Sequence, residues 1–170
     1  DAFHAFDSPD FAPRLDAGIH IEWNAGKPAI ASDKPLKMHS IQPQPIGVVT
    51  LYPGISVDVI ANILLQPVKA LILLTYGVGN APQNPAMLEL LRDASARGVI
   101  IVNLSQCLRG KVNMGGYATG NALADAGVLS GYDMTTEAAL AKLHFLLSQD
   151  LSATEIRTLM QQDLRGELSH

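Results

Sequence analysis

The chain has 170 residues, of which 48% are apolar and 16% charged, with a mean hydropathy of +0.17 and a formal net charge of -4. That is length for one sizeable core and a composition too apolar for a disordered chain. The acidic balance argues against a nucleic-acid partner, and no run approaches the ~20 apolar residues that cross a bilayer.

Residues 1 to 45 are rich in Pro, Asp and Lys and are expected to form an interdomain linker with an edge β segment. Two short apolar-alternating stretches, Gly18 to Trp23 and Leu36 to Ile41, flank a loop with Gly26, Pro28 and Pro35, a pattern that predicts a β-hairpin or paired edge strands. Pro43 and Pro45 punctuate the entry to a main domain over residues 46 to 170. Asp1-Ala2-Phe3-His4 does not read as a native start, so the chain is expected to come from the interior of a longer protein.

From Ile46 to Leu51 the run is almost continuously apolar, as in a strand covered on both faces. Ser56 is a candidate cap for a helix from Val57 to about Gln66, and Val68 to Leu74 is a second buried strand. Pro85 opens a helix carrying Met87, Leu90, Leu91 and Ala94 at helical spacing until Gly98 stops it, and Val99 to Leu104 is a third strand. A short helix follows near Asn121 to Ala126, and Val128 to Gly131 offers a fourth strand. Two helices close the chain. The first is capped by Asp133 or Thr135, carries Ala139, Leu140, Leu143, Leu146 and Leu147 on one face, and turns His144 to solvent. The second opens at the capping-box spacing of Ser152 and Glu155. This order predicts an α/β domain of three layers, with right-handed crossovers building a small parallel sheet of about four strands between helices.

Ligands of such sheets gather beyond the carboxyl ends of the strands, and two loops there are unusual. In Thr75 to Asn84, two glycines of Gly77-Val78-Gly79-Asn80 let the backbone approach a ligand, with Asn80 offering donor and acceptor at the tip. The same residues also fit a plain glycine turn before a helix. Ser105 to Tyr117 is a long polar loop in which Tyr117 is either a hydrogen-bond donor or base at a site, or a half-buried residue on the sheet edge. Cys107 has no His nearby in sequence and reads as a small buried apolar residue; as a lone cysteine it fits a reducing compartment. His4, His20, His39, His144 and His170 show no metal-ligand spacing. A charged fraction of 16%, against about 25% in ordinary soluble domains, suggests surface buried against another domain or subunit.

At Tyr76 to Pro82 the sequence resembles bacterial type I, cytoplasmic L-asparaginases. The likeness extends in order from Pro45-Ile46-Gly47-Val48-Val49 and Tyr52-Pro53-Gly54-Ile55 to Tyr117-Ala118-Thr119-Gly120, Gly131 to Ala139 and the closing Asp163-Leu164-Arg165-Gly166-Glu167. It implies the C-terminal domain of a two-domain cytoplasmic enzyme that hydrolyses L-asparagine to L-aspartate and ammonia without a metal or organic cofactor. The family's nucleophilic threonine and its Thr-Asp-Lys group belong to the N-terminal domain, and their signatures, Thr-Gly-Gly-Thr and Gly-Thr-Asp-Thr, occur nowhere in these residues. By the resemblance, Gly79 and Asn80 bind substrate in a neighbouring subunit's site, Tyr117 is a further substrate-binding and candidate accessory residue, and the protein works as a homodimer or homotetramer. Secreted relatives place a glutamate near this loop for the substrate's amino group. None lies between Glu89 and Glu137, which favours type I and leaves that amino group without an assigned partner. Some type I members also bind asparagine as an effector; Leu74 stands where some relatives carry a basic residue, so such regulation is not assumed here. Two other readings remain: an asparaginase-like subunit that deamidates a mischarged transfer RNA, which would need a basic surface, and a non-catalytic small-molecule-binding α/β domain.

Overall fold

The structure is a computed structural model that describes residues 9–13, 15–24, 35–65, 67–115 and 118–169, with only the backbone at Ala118 and Thr119. The chain divides into two compact units, Asp1–Ser40 and Ile41–His170.

In the first unit β1 (Leu15–Ala17) and β2 (Ile21–Trp23) pair antiparallel, Leu15 opposite Trp23 and Ala17 opposite Ile21. A hairpin therefore precedes the main sheet as expected, but it joins 15–17 to 21–23 and not the two apolar stretches, 18–23 and 36–41, from which it was expected. Gly18 turns the chain, its amide donating to the His20 carbonyl at 3.0 Å, while 36–41 lies outside any strand. A three-residue closure costs less chain entropy than bringing together ends separated by a long loop. The predicted loop residues Gly26 and Pro28 lie outside the described residues.

The second unit holds a parallel sheet in the order β3 (Ile46–Thr50), β4 (Ala70–Thr75), β5 (Ile100–Ser105), β6 (Leu129–Ser130). Each strand lies beside its predecessor. Crossovers of one hand that step steadily in one direction place every connecting helix on the same face. Accordingly α1 (Val57–Ile63), α2 (Pro85–Ala96) and α3 (Ala118–Asp125) share one apolar cluster with Val49, Leu71, Leu73 and Ile101. The opposite face, Ala70, Ile72, Ile100 and Val102, is covered by α4 (Thr136–Leu147) and α5 (Ala153–Met160). Alternate residues of β4 and β5 thus go to alternate cores, which is why both strands read as unbroken apolar runs.

The caps set the helix ends. Ser56 accepts from the Asp58 amide, Asn84 from the Ala86 and Met87 amides with Pro85 at the first position, and Ser152 with Glu155 closes a full capping box. Of the two residues considered for α4, Thr135 is the cap, accepting from Ala138. Asp133 instead accepts from the Ser169 amide at 2.7 Å and from the Ser169 hydroxyl, tying down the chain's last turn. α1 ends at Ile63, short of Gln66, which lies outside the described residues, and α3 begins three residues before Asn121. His144 is half-buried rather than turned to solvent. Two positions earlier, Lys142 is buried; its ammonium pairs with Glu167 at 2.6 Å and donates to the Gln162 carbonyl.

Candidate functional site

The carboxyl ends of β4 and β5 are in register, with Thr75 opposite Ser105, so the loops that follow leave side by side. After β4 the chain closes a tight turn. Tyr76 and Asn80 form an isolated bridge: the Tyr76 amide donates to the Asn80 carbonyl at 2.8 Å, and the Asn80 and Gly79 amides both donate to the Tyr76 carbonyl, at 2.9 and 3.0 Å. Such a turn needs left-handed backbone, which Gly77 (φ 52°) and Gly79 (φ 103°) supply. At Gly79 space matters as well, because a Cβ would lie 2.7 Å from Cγ1 of Val112 and 3.1 Å from Nδ2 of Asn103. Both glycines are therefore required by this turn, and Asn80 stands half-buried at its end.

Three consecutive carbonyls of the loop are held from the β5 side. Ser105 Oγ donates to Gly77 at 2.5 Å, the Asn113 amide to Val78 at 2.8 Å and Asn103 Nδ2 to Gly79 at 3.0 Å. Asn103 Oδ1 in turn accepts from the Thr75 hydroxyl at 2.6 Å, with the Leu104 carbonyl a second acceptor at 3.2 Å. Thr75 and Asn103 are both 0% exposed. Gln106 closes the neighbouring edge, its side chain donating to the Leu51 carbonyl at 2.7 Å and the Leu74 carbonyl at 2.9 Å. The second loop continues the support: the Val112 amide donates to the Tyr132 carbonyl at 2.9 Å, and Tyr132 takes a left-handed φ of 54° to offer it. The Tyr76 hydroxyl is buried without a hydrogen-bond partner among the described residues.

Asn80 and Gly79 thus sit together where the sequence placed them, while Tyr117 lies outside the described residues. Cys107 is exposed, contrary to the buried apolar role expected of it. β5 ends at Ser105, and by Cys107 the chain has left the sheet for a bend in which the Cys107 amide donates to Ser105 Oγ at 2.9 Å. His4 and His170 lie outside the described residues, and among those described no three His, Cys, Asp or Glu side chains gather to hold a metal ion. The hydroxyls beneath the loop, Thr75, Ser105 and Ser130, are engaged with the loop and its supports. The carboxyl groups held below their ordinary range, Glu155 and Glu167, belong to α5 and the closing segment. What the geometry offers is a tightly hydrogen-bonded turn that ends at the half-buried Asn80, and no nucleophile–base pair accompanies it among the described residues. The Thr75–Asn103 pair escaped notice in the sequence, although a polar residue interrupting the apolar run Val99 to Leu104 was a signal for it.

These features define a three-layer α/β domain with a glycine-built polar turn at the carboxyl edge of a parallel sheet. Residues 45–160 match the glutaminase/asparaginase C-terminal domain, and the chain belongs to that family. It is 63% identical over 169 residues to L-asparaginase 1 of Escherichia coli K12, covering 99% of this chain and 50% of that protein. The crystal structure of L-asparaginase I from Vibrio cholerae superposes with a TM-score of 0.91 at 63% identity, covering all of this chain and 52% of that one. A more distant match is a glutamyl-tRNA(Gln) amidotransferase polypeptide of Methanobrevibacter smithii, 33% identical over 81% of this chain and 31% of that protein. The chain spans about half the length of the L-asparaginases it matches. Among the described residues no helix is long and apolar enough to cross a membrane.

Proposed function

We propose that this chain is the C-terminal half of a cytoplasmic, type I L-asparaginase that hydrolyses L-asparagine to L-aspartate and ammonia, and that it completes an active site whose nucleophile lies in the N-terminal half. The observation that carries this reading is the 63% identity to L-asparaginase 1 across 99% of the chain. The rigid Gly77 to Asn80 turn at the carboxyl edge of the sheet supports it.

The division of labour is chemically coherent. A threonine hydroxyl is a weak nucleophile until a neighbouring base takes its proton, and the tetrahedral intermediate needs donors aimed at its oxyanion. Nothing described beneath the Asn80 turn is arranged for either task. A fixed carboxamide serves a different purpose: it holds the charged end of the substrate so that the side-chain amide meets the nucleophile in line. Asn80 takes that role across a subunit boundary, joined by Tyr117, in a homodimer or homotetramer, without metal or organic cofactor. An amidotransferase acting on transfer RNA fits less well, because the net charge of -4 provides no electrostatic footing for the nucleic acid.

The test is Asn80→Ala in the full-length enzyme. Loss of one buried hydrogen-bonding partner should weaken the use of L-asparagine by about 1–3 kcal/mol in kcat/KM. Steady-state kinetics indistinguishable from wild type would remove Asn80 from the site.

A further inference from the structure

We propose that Asn103, together with Thr75, is a positioning residue that sets the orientation of the Asn80 turn from inside the sheet. Asn103 occupies a β5 position between Val102 and Leu104, at 0% exposure, on the face that packs against α1, α2 and α3. A carboxamide there costs free energy unless each of its ends finds a partner. Both ends do: Nδ2 donates to the Gly79 carbonyl at 3.0 Å, and Oδ1 accepts from the Thr75 hydroxyl at 2.6 Å. The side chain must offer a donor on one side and an acceptor on the other, which neither Asp nor Leu provides. Facing a carbonyl, only the amino end of the group is tolerated, so Gly79 also fixes which way the amide points.

The Gly79 carbonyl and the Asn80 amide belong to one peptide unit, and that unit is planar. Its oxygen is held by Asn103 and its N–H by the Tyr76 carbonyl at 2.9 Å. Pinned at both ends, the plane has no rotation left, and the direction in which Asn80 leaves it is determined. The bonds to Gly77 and Val78 support the same turn, but they come from a side chain at the partly exposed strand end and from backbone. The bond from Asn103 is buried, where it is stronger and its loss is not made good by water. Gly79 has no side chain to hold it off, which lets the turn settle onto Asn103 and Val112.

The consequence for substrate binding rests on the asparaginase reading; the hold on the turn does not. The test compares Asn103→Leu and the double variant Thr75→Val/Asn103→Leu with wild type in the full-length enzyme. Two readouts are taken: amide hydrogen exchange across residues 76 to 80, and KM and kcat for L-asparagine. Asn103→Leu should speed exchange in the turn by more than it speeds exchange at Ile72 and Val102, which reports the overall loss of stability, and should raise KM roughly tenfold with kcat little changed. Removing both polar partners should recover part of the lost thermal stability, because a matched apolar pair leaves no unpaired hydroxyl between the strands and only the Gly79 carbonyl without its donor. The turn should nonetheless remain loose and KM high, an outcome that a merely structural role does not produce. Where Asn103→Leu fails to fold, the double variant carries the same test. Wild-type exchange in the turn of the double variant, or recovery of KM together with stability, would overturn the proposal. Faster exchange with an unmoved KM would uphold the hold on the turn and count instead against Asn80 as a substrate-binding residue.

Discussion

Lys142 shows how a single charged residue can close a fold. It lies on α4 with its side chain 3% exposed, a position where an unpaired ammonium would be costly. Glu167 answers it at 2.6 Å, and the same carboxylate accepts from the Leu164 and Arg165 amides, so the closing segment is wound around one acid. Arg165 points elsewhere and stacks over the Phe145 ring at 4.3 Å. Burial alone would raise the Glu167 carboxyl, but the Lys142 ammonium and the surrounding amides outweigh it and hold the group at about 2, against an ordinary 4.5. Since the folded value is the lower one, folding favours the ionised form. That contribution is complete above the ordinary value and is lost as pH falls through about 2. Glu167→Gln should therefore lower stability at neutral pH by about 1.5–3 kcal/mol, the worth of a hydrogen bond to a charged group. Thermal melts of the two proteins should converge as the pH is lowered toward about 2. A gap that stays constant with pH would mean that the ion pair is not its source.

At the scale of elements, local signals with a single physical meaning were legible in the sequence. The runs Ile46 to Leu51, Val68 to Leu74 and Val99 to Leu104 became β3, β4 and β5 with ends displaced by one or two residues; β4 and β5 are covered on both faces as expected, whereas β3 is the edge strand and leaves Val48 exposed, because an apolar run does not show where in the sheet its strand lies. Ser56 and the Ser152–Glu155 box were equally plain, since a cap depends only on its neighbours in sequence. Ser152→Ala should accordingly cost about 0.5–2 kcal/mol, measured as a shift in the denaturant midpoint at unchanged m-value. An unchanged midpoint would show that α5 is held by packing of Ile156 and Met160 alone. Harder to read were the features that depend on distant partners. Lys142 looks like any basic residue on a helix until Glu167 is brought to it, and Cys107 looks apolar until β5 is seen to end before it. In the candidate site, the glycines and Asn80 were visible because their need is local. Thr75 and Asn103 were not, because what makes them matter is a carbonyl 24 residues away from Asn103 in sequence.

For the whole molecule, the sheet and its two apolar clusters are complete within the second unit, whereas the proposed chemistry is not. The low charged fraction of the chain agrees with the proposal of a domain that works against further protein. The half-length match to L-asparaginases points the same way. The central claim is that these residues fold and present Asn80, while the power to cleave an amide resides elsewhere. The measurement that tests it most directly is ammonia release from L-asparagine by the purified 170-residue chain, set beside the same chain joined to its N-terminal half. The account predicts a folded but inactive chain and robust turnover in the joined protein. Sustained turnover by the isolated chain, surviving removal of any contaminating enzyme, would place the nucleophile within these residues and contradict the account.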